Sequence, residues 1–141
     1  MQPEDFMKVA IAEAKLGDAP YGAVIVKDNK IVAQAHNTVK TDSDPTAHAE
    51  VNVIRSLTKK LKNPSLEGYT LYASCEPCPM CTAVCIWAGI SEIIIGASIK
   101  ELIEAGVSQI DIASEEIIDK GFKKIKITKG LLKEESLQLF K

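Results

Sequence analysis

No stretch of these 141 residues approaches the ~20 consecutive apolar positions that a helix needs to span a bilayer. No secretory leader is expected either, because Met1-Gln2-Pro3-Glu4-Asp5 is acidic where a leader is basic. The expectation is a cytoplasmic protein with no membrane partner. Positive charge is not in surplus: 17 Lys and Arg stand against 19 Asp and Glu, a net charge of −2. That balance removes any global pull toward nucleic acid or anionic lipid. Repeats, low-complexity tracts and linkers are absent. A chain of this size buries about 70% of its extended surface, so one domain over residues 1–141 needs no disulfides.

What is present is more specific. His48-Ala49-Glu50 is followed, thirty positions after the histidine, by Pro77-Cys78-Pro79-Met80-Cys81. Together they offer three good zinc ligands, His48, Cys78 and Cys81, and one carboxylate, Glu50, that need not be a ligand. A structural zinc site closes its tetrahedron with four protein ligands, whereas a hydrolytic one leaves the fourth place for water. A lone Cys-x-x-Cys also serves redox dithiols and zinc ribbons, but neither needs the His-x-Glu or the proline before the first cysteine. The composite H-x-E…P-C-x-x-C is the signature of zinc deaminases that act on nucleobases. Cys75 and Cys85 are left over as free thiols, as suits a reducing compartment.

Local patterns place these strings on elements. Pro3, Glu4 and Asp5 start a helix that Gly17 stops, with Phe6, Val9, Ala10 and Ala14 on one face. Residues 21–27 and 30–36 read as a hairpin around Asp28-Asn29, and 37–45 as a loop. Residues 47–61 read as a helix, 69–73 as a strand leading into the cysteine motif, and the motif as the start of a helix stopped by Gly89. The run around Ile93-Ile94-Ile95, residues 92–97, predicts a strand covered on both faces and parallel to its neighbour. Two short helical pieces over 100–120, a strand over 122–128 and a helix over 131–140 follow. The order α-β-β-α-β-α-β-α-β-α describes an α/β domain, a mixed sheet with helices on both faces.

Spacing constrains the chemistry. Glu50, Val53, Ile54, Leu57 and Leu61 form one helical stripe, so the carboxylate heads an apolar face and points inward. A buried acid is costly unless paired, protonated or useful. Positions 48 and 50 diverge by about 200° on an ideal helix, so both serve one site only if His48 lies in the opening turn. Asp44-Pro45-Thr46 places the helix entry there. Cys78 and Cys81 share a side if Pro79 begins a helix, whose positive end favours thiolate. Glu50 would then carry protons from the attacking water to a ring nitrogen and to the departing amine, releasing ammonia.

The strings Asp44-Pro45-Thr46-Ala47-His48-Ala49-Glu50 and Ser74-Cys75-Glu76-Pro77-Cys78-Pro79-Met80-Cys81 resemble the cytidine/deoxycytidylate deaminase superfamily, nearest its branch of bacterial guanine deaminases and tRNA adenosine deaminases. The resemblance implies a three-layer α/β/α fold around a five-stranded mixed sheet, one zinc ion per subunit and a homodimer. It also implies a small nucleobase or nucleoside substrate, guanine foremost, bound by Asn37, Ala49, Tyr21 and Trp87. Asn37 also reads as a turn residue and Trp87 as a core residue of a buried helix. One departure stands out: the acidic residue that guanine deaminases carry after an Ala-Gly pair falls here on or near Gln109, with Asp111 the nearest acid. Adenosine-to-inosine conversion in tRNA is the alternative. Against it, residues 131–141 carry Glu134 and Glu135 where the tRNA enzymes tend to carry a basic helix. The lysines of 123–129 alternate with Ile125 and Ile127 in the manner of a guarded sheet edge. A deaminase-like subunit without activity would not need Glu50.

Overall fold

Alternation along one strand organises the molecule. In β1 (Gly22–Lys27), Ala23 and Ile25 enter a core shared with Val53, Ile54 and Leu57, while Val24 and Val26 enter a second core with Phe6, Met7 and Ala10. A strand buried on both faces must lie inside a sheet covered twice. The computed structural model describes residues 1–141 and shows that sheet as five strands in the order β2-β1-β3-β4-β5. β2 is Lys30–His36, β3 Thr70–Cys75, β4 Glu92–Ala97 and β5 Lys126–Lys129. β1 runs antiparallel to both β2 and β3, and β3, β4 and β5 run parallel.

Seven helices complete the layers: α1 (Pro3–Ala14), α2 (Val39–Asp42), α3 (Ala49–Leu61), α4 (Pro79–Ala88), α5 (Ile99–Glu104), α6 (Ser114–Lys120) and α7 (Lys133–Gln138). α1 comes so close to β1 that a Cβ on Gly22 would stand 2.0 Å from the Ala10 carbonyl, which leaves glycine as the residue for that position. The hairpin turn holds Asp28 and Asn29 at φ 50° and 59°, the left-handed pair of a type I′ turn. On β4, Ile93 and Ile95 are fully buried against α3 and α4. Burial of side chains this size contributes about 1.5–3 kcal/mol each.

Several boundaries depart from the sequence pattern. β5 begins only at Lys126, because its sole partner β4 begins at Glu92, opposite Lys126. Phe122, expected inside the strand, is 72% exposed. β3 runs on to Cys75, where it still pairs with Ala97. The loop over 37–45 contains the one-turn α2, tied by a Thr38 hydroxyl donating to Asp42 at 2.7 Å. Leu61 leaves the buried stripe because it is the last residue of α3 and faces solvent. α7 is shorter than the pattern suggests, since Leu132 adopts a left-handed backbone at φ 56°. No helix is long and apolar enough to cross a membrane.

Candidate metal centre and active-site cavity

The three ligands expected from the sequence stand at two helix starts. His48 is the N-cap of α3, with φ −71° and ψ 158°, so its ring departs from the helix instead of following it. That resolves the 200° problem posed by the spacing to Glu50. Asn52 secures the entry: its side-chain amide donates to the carbonyls of His36 and Ala47 at 2.9 and 3.2 Å and to the Thr38 hydroxyl at 2.9 Å. Cys78 is the N-cap of α4, Pro79 takes the first helical position, and Cys81 follows three residues later on the same side. The parallel strands β3 and β4 frame that helix, so the cysteines sit just past the end of β3.

The His48 Nδ1 atom lies 3.7 Å from the Cys78 Sγ and 3.5 Å from the Cys81 Sγ, and all three ligand atoms fall within 4.8 Å of one another. Zinc bonds of about 2.3 Å to sulfur and 2.05 Å to nitrogen, at a tetrahedral angle, put N and S about 3.6 Å apart. The donor set and its spacing therefore fit a zinc ion. The Cys78 thiol is pushed down to about 4, first by a hydrogen bond from Cys81 and then by His48, so a thiolate is ready at this position. Glu50 lies outside the three-ligand cluster. It is 6% exposed at the start of α3, and burial pushes its carboxyl up to about 7.

These groups open onto a cavity of about 280 Å³. His48, Glu50 and Cys78 line its floor, Tyr21 and Asn37 one side, and Ser108, Gln109 and Ile110 another. A larger groove of about 490 Å³ runs between α1 and α7, but it holds no metal ligand and no buried acid. Tyr21 and Asn37 are neighbours at the mouth of the β1–β2 hairpin, where the Asn37 amide donates to the Tyr21 carbonyl at 3.2 Å. The Asn37 Oδ1 accepts from the Val39 amide at 3.0 Å, so the side-chain NH₂ is the group left for a ligand. Its turn role and its place in the cavity coexist. The Tyr21 ring packs edge-on against Phe140, with centroids 5.4 Å apart, and burial pushes its hydroxyl up to about 12.

Two sequence candidates fall elsewhere. Trp87 is 77% exposed near the far end of α4, where it packs edge-on against Phe122 with centroids 5.1 Å apart. Within this chain it is neither a cavity residue nor a core residue, because it sits six residues past Cys81, on the side of α4 turned away from the sheet. Ala49 is fully buried and does not line the cavity. Gln109 lines the cavity and Asp111 does not. The sequence reading missed Glu76, Asn52, Ser108 and Ile110. Glu76 had a signal: an acid set between β3 and the cysteine motif, with no helix face to expose it, must find partners inside.

Comparison with known proteins accords with this geometry. Residues 1–97 match the model of the cytidine and deoxycytidylate deaminase zinc-binding region. Guanine deaminase from Bacillus subtilis (strain 168) is 43% identical over 125 residues, 85% of this chain and 79% of its own length. A tRNA-specific adenosine deaminase from Buchnera aphidicola subsp. Baizongia pistaciae is 40% identical over 138 residues, 95% of this chain and 83% of its own. Among solved structures, one from studies of A-to-I editing by tRNA:A34 deaminases at the wobble position aligns with a TM-score of 0.82 at 31% identity, covering 96% of this chain and 98% of that one.

Proposed function

The chain belongs to the cytidine and deoxycytidylate deaminase family and is a zinc-binding hydrolytic deaminase, and we propose that its substrate is a free nucleobase, guanine foremost. The observation that carries this reading is the aromatic wall at Tyr21. Its ring, steadied by Phe140 and Gln109, offers a flat face to a planar heterocycle in a cavity sized for one base. The buried Asn37 NH₂ supplies a donor for an acceptor on the ring edge, such as N7 or O6 of guanine.

His48, Cys78 and Cys81 would hold the zinc ion, which when bound supplies Lewis acidity for hydrolysis at neutral pH. Glu50 is the proton carrier. Its carboxylate takes one proton from the attacking water and passes it to the ring nitrogen beside the reacting carbon, then takes the second from the hydroxyl now on that carbon and gives it to the departing amine. The carbon–nitrogen bond to the exocyclic amine breaks, ammonia leaves, and a carbonyl remains. Burial of Glu50 keeps bulk water from intercepting these transfers.

The second reading, conversion of adenosine to inosine in a tRNA anticodon, is supported by the likeness to tRNA-specific adenosine deaminases. The net charge of −2 weighs against it, since RNA binding needs groups that neutralise phosphates. The same proposal makes all 141 residues one deaminase domain, cytoplasmic because Cys75 and Cys85 are unpaired thiols and Cys78 and Cys81 serve the metal. It also pairs two copies as a homodimer, for which the uncovered Trp87–Phe122 face is the supporting surface.

The deciding experiment is ammonia release by zinc-loaded protein over guanine, adenine, cytosine, their nucleosides and an anticodon stem-loop. Turnover of free guanine with little salt dependence is expected. Inosine formed in the stem-loop, with inert free bases and steep salt sensitivity, gives the assignment to the second reading.

A further inference from the structure

We propose that Glu76 is the positioning residue of the substrate cavity, holding both ends of its loop wall with a single buried carboxylate. The inference rests on substrate occupying this cavity, whichever base it is. One oxygen of Glu76, Oε1, accepts from the Ile99 amide at 2.9 Å, and the other, Oε2, accepts from the Ser114 amide at 2.7 Å. Ile99 opens α5 and Ser114 opens α6. Amides at these first positions have no carbonyl within their own helix to pair with. The carboxylate thus gathers the starts of two helices that are fifteen positions apart in the chain.

Between those helices runs the segment that carries Ser108, Gln109 and Ile110 into the cavity lining. It has little to hold it in place. The backbone amides of residues 108–111 donate to no other group in the protein. Gln109 spans to Tyr21 by a side-chain bond alone. Its position is therefore set from its ends, and Glu76 binds one N–H before the segment and one after it.

The same side chain connects the wall to the metal loop. Glu76 is two residues before Cys78, and the intervening Pro77 carbonyl accepts from the Ser114 and Thr82 hydroxyls at 3.0 and 3.1 Å. Lys129 at the sheet edge brings a compensating charge, 3.1 Å from Glu76 and 2.8 Å from Glu115. The Glu76 side chain is 1% exposed, so its carboxylate is held away from water, while Lys129 and Glu115 lead out to the surface. An acid so placed has both oxygens satisfied, as a buried carboxylate requires. A neutral amide of the same shape does not reproduce it, because its nitrogen would face one of the two N–H donors.

Two measurements test the inference. Glu76→Gln should keep zinc near one equivalent and kcat within about threefold, while KM rises about 10–100-fold, the loss of one charge-assisted hydrogen bond. An unchanged KM, or a fall in kcat alone, overturns the positioning role. The second measurement uses the unaltered protein and needs no substrate. Native-state hydrogen exchange should protect the Ile99 and Ser114 amides as well as those of β3, although helix-opening amides normally exchange fast. Fast exchange at either amide overturns the inference even if Glu76→Gln fails to fold. Should no base be deaminated, the substrate assignment fails while the exchange result still decides on Glu76.

Discussion

The side-chain amide of Gln109 donates to the Tyr21 hydroxyl across 2.8 Å, joining two positions 88 residues apart at the cavity wall. One of them extends the β1–β2 hairpin, and the other lies in a segment whose backbone amides donate to no other group in the protein. The bond is a neutral one, since burial holds the Tyr21 hydroxyl protonated at any ordinary pH. Tyr21→Phe keeps the ring and deletes the bond, at a cost of about 0.5–1.5 kcal/mol. KM for the base should rise about 2- to 10-fold with zinc content unchanged. Steady-state kinetics beside metal analysis would check both halves, and an unaltered KM would mean the bond does not shape the bound state.

Metal content is the next expectation. The protein should carry about one zinc per chain, and Cys78→Ser or His48→Ala should lose most of it. Chelation should lower the unfolding temperature of the unaltered protein and leave that of Cys78→Ser nearly unmoved, because only the native state presents the three ligands together. Full zinc occupancy in Cys78→Ser would show that the ligand set is different.

Glu50→Gln should retain zinc and lose deamination by about 10²–10⁴-fold, the usual contribution of general acid–base catalysis. The neutral side chain fills the same buried space, so unfolding temperature should hold or rise slightly. Loss of metal from a folded Glu50→Gln protein would make the carboxylate a ligand and end the proton-carrier mechanism.

Asn37 separates recognition from turn formation. Asn37→Asp keeps an oxygen for the Val39 amide but has no NH₂ to offer a base. Both Asn37→Asp and Asn37→Ala should therefore weaken kcat/KM for guanine by about 1–3 kcal/mol. If Asn37→Asp behaves as the unaltered protein while Asn37→Ala is impaired, the residue serves the turn alone.

The zinc cluster was legible before any fold was known because its constraints are local. Two helix starts, each marked by proline and a capping position, force His48 outward and bring Cys78 and Cys81 to one side. The β4 run of isoleucines announced a covered strand by composition alone: Ile93 and Ile95 are buried on one face, Ile94 is partly buried on the other, and the pairing with β3 is parallel. Less was legible where tertiary contact decides. Nothing near Phe122 indicates that β5 must wait for Glu92 before it can pair. Trp87 sits in an apolar stretch and reads as interior, yet α4 turns that position outward. Glu76 and Asn52 matter through partners up to 38 positions away, and no local period encodes such distances.

The packing of Phe140 against Tyr21 divides the cavity wall from the metal centre along the chain. Everything that handles the metal comes from residues 48–81, deep in the middle of the chain. The Tyr21 ring in the cavity wall is buttressed from position 140, at the other extreme. Substitution or extension around α7 can thus retune the aromatic wall without touching a ligand or the proton carrier. A change at position 140 therefore reaches the wall of the cavity and leaves the hydrolytic machinery where it stands.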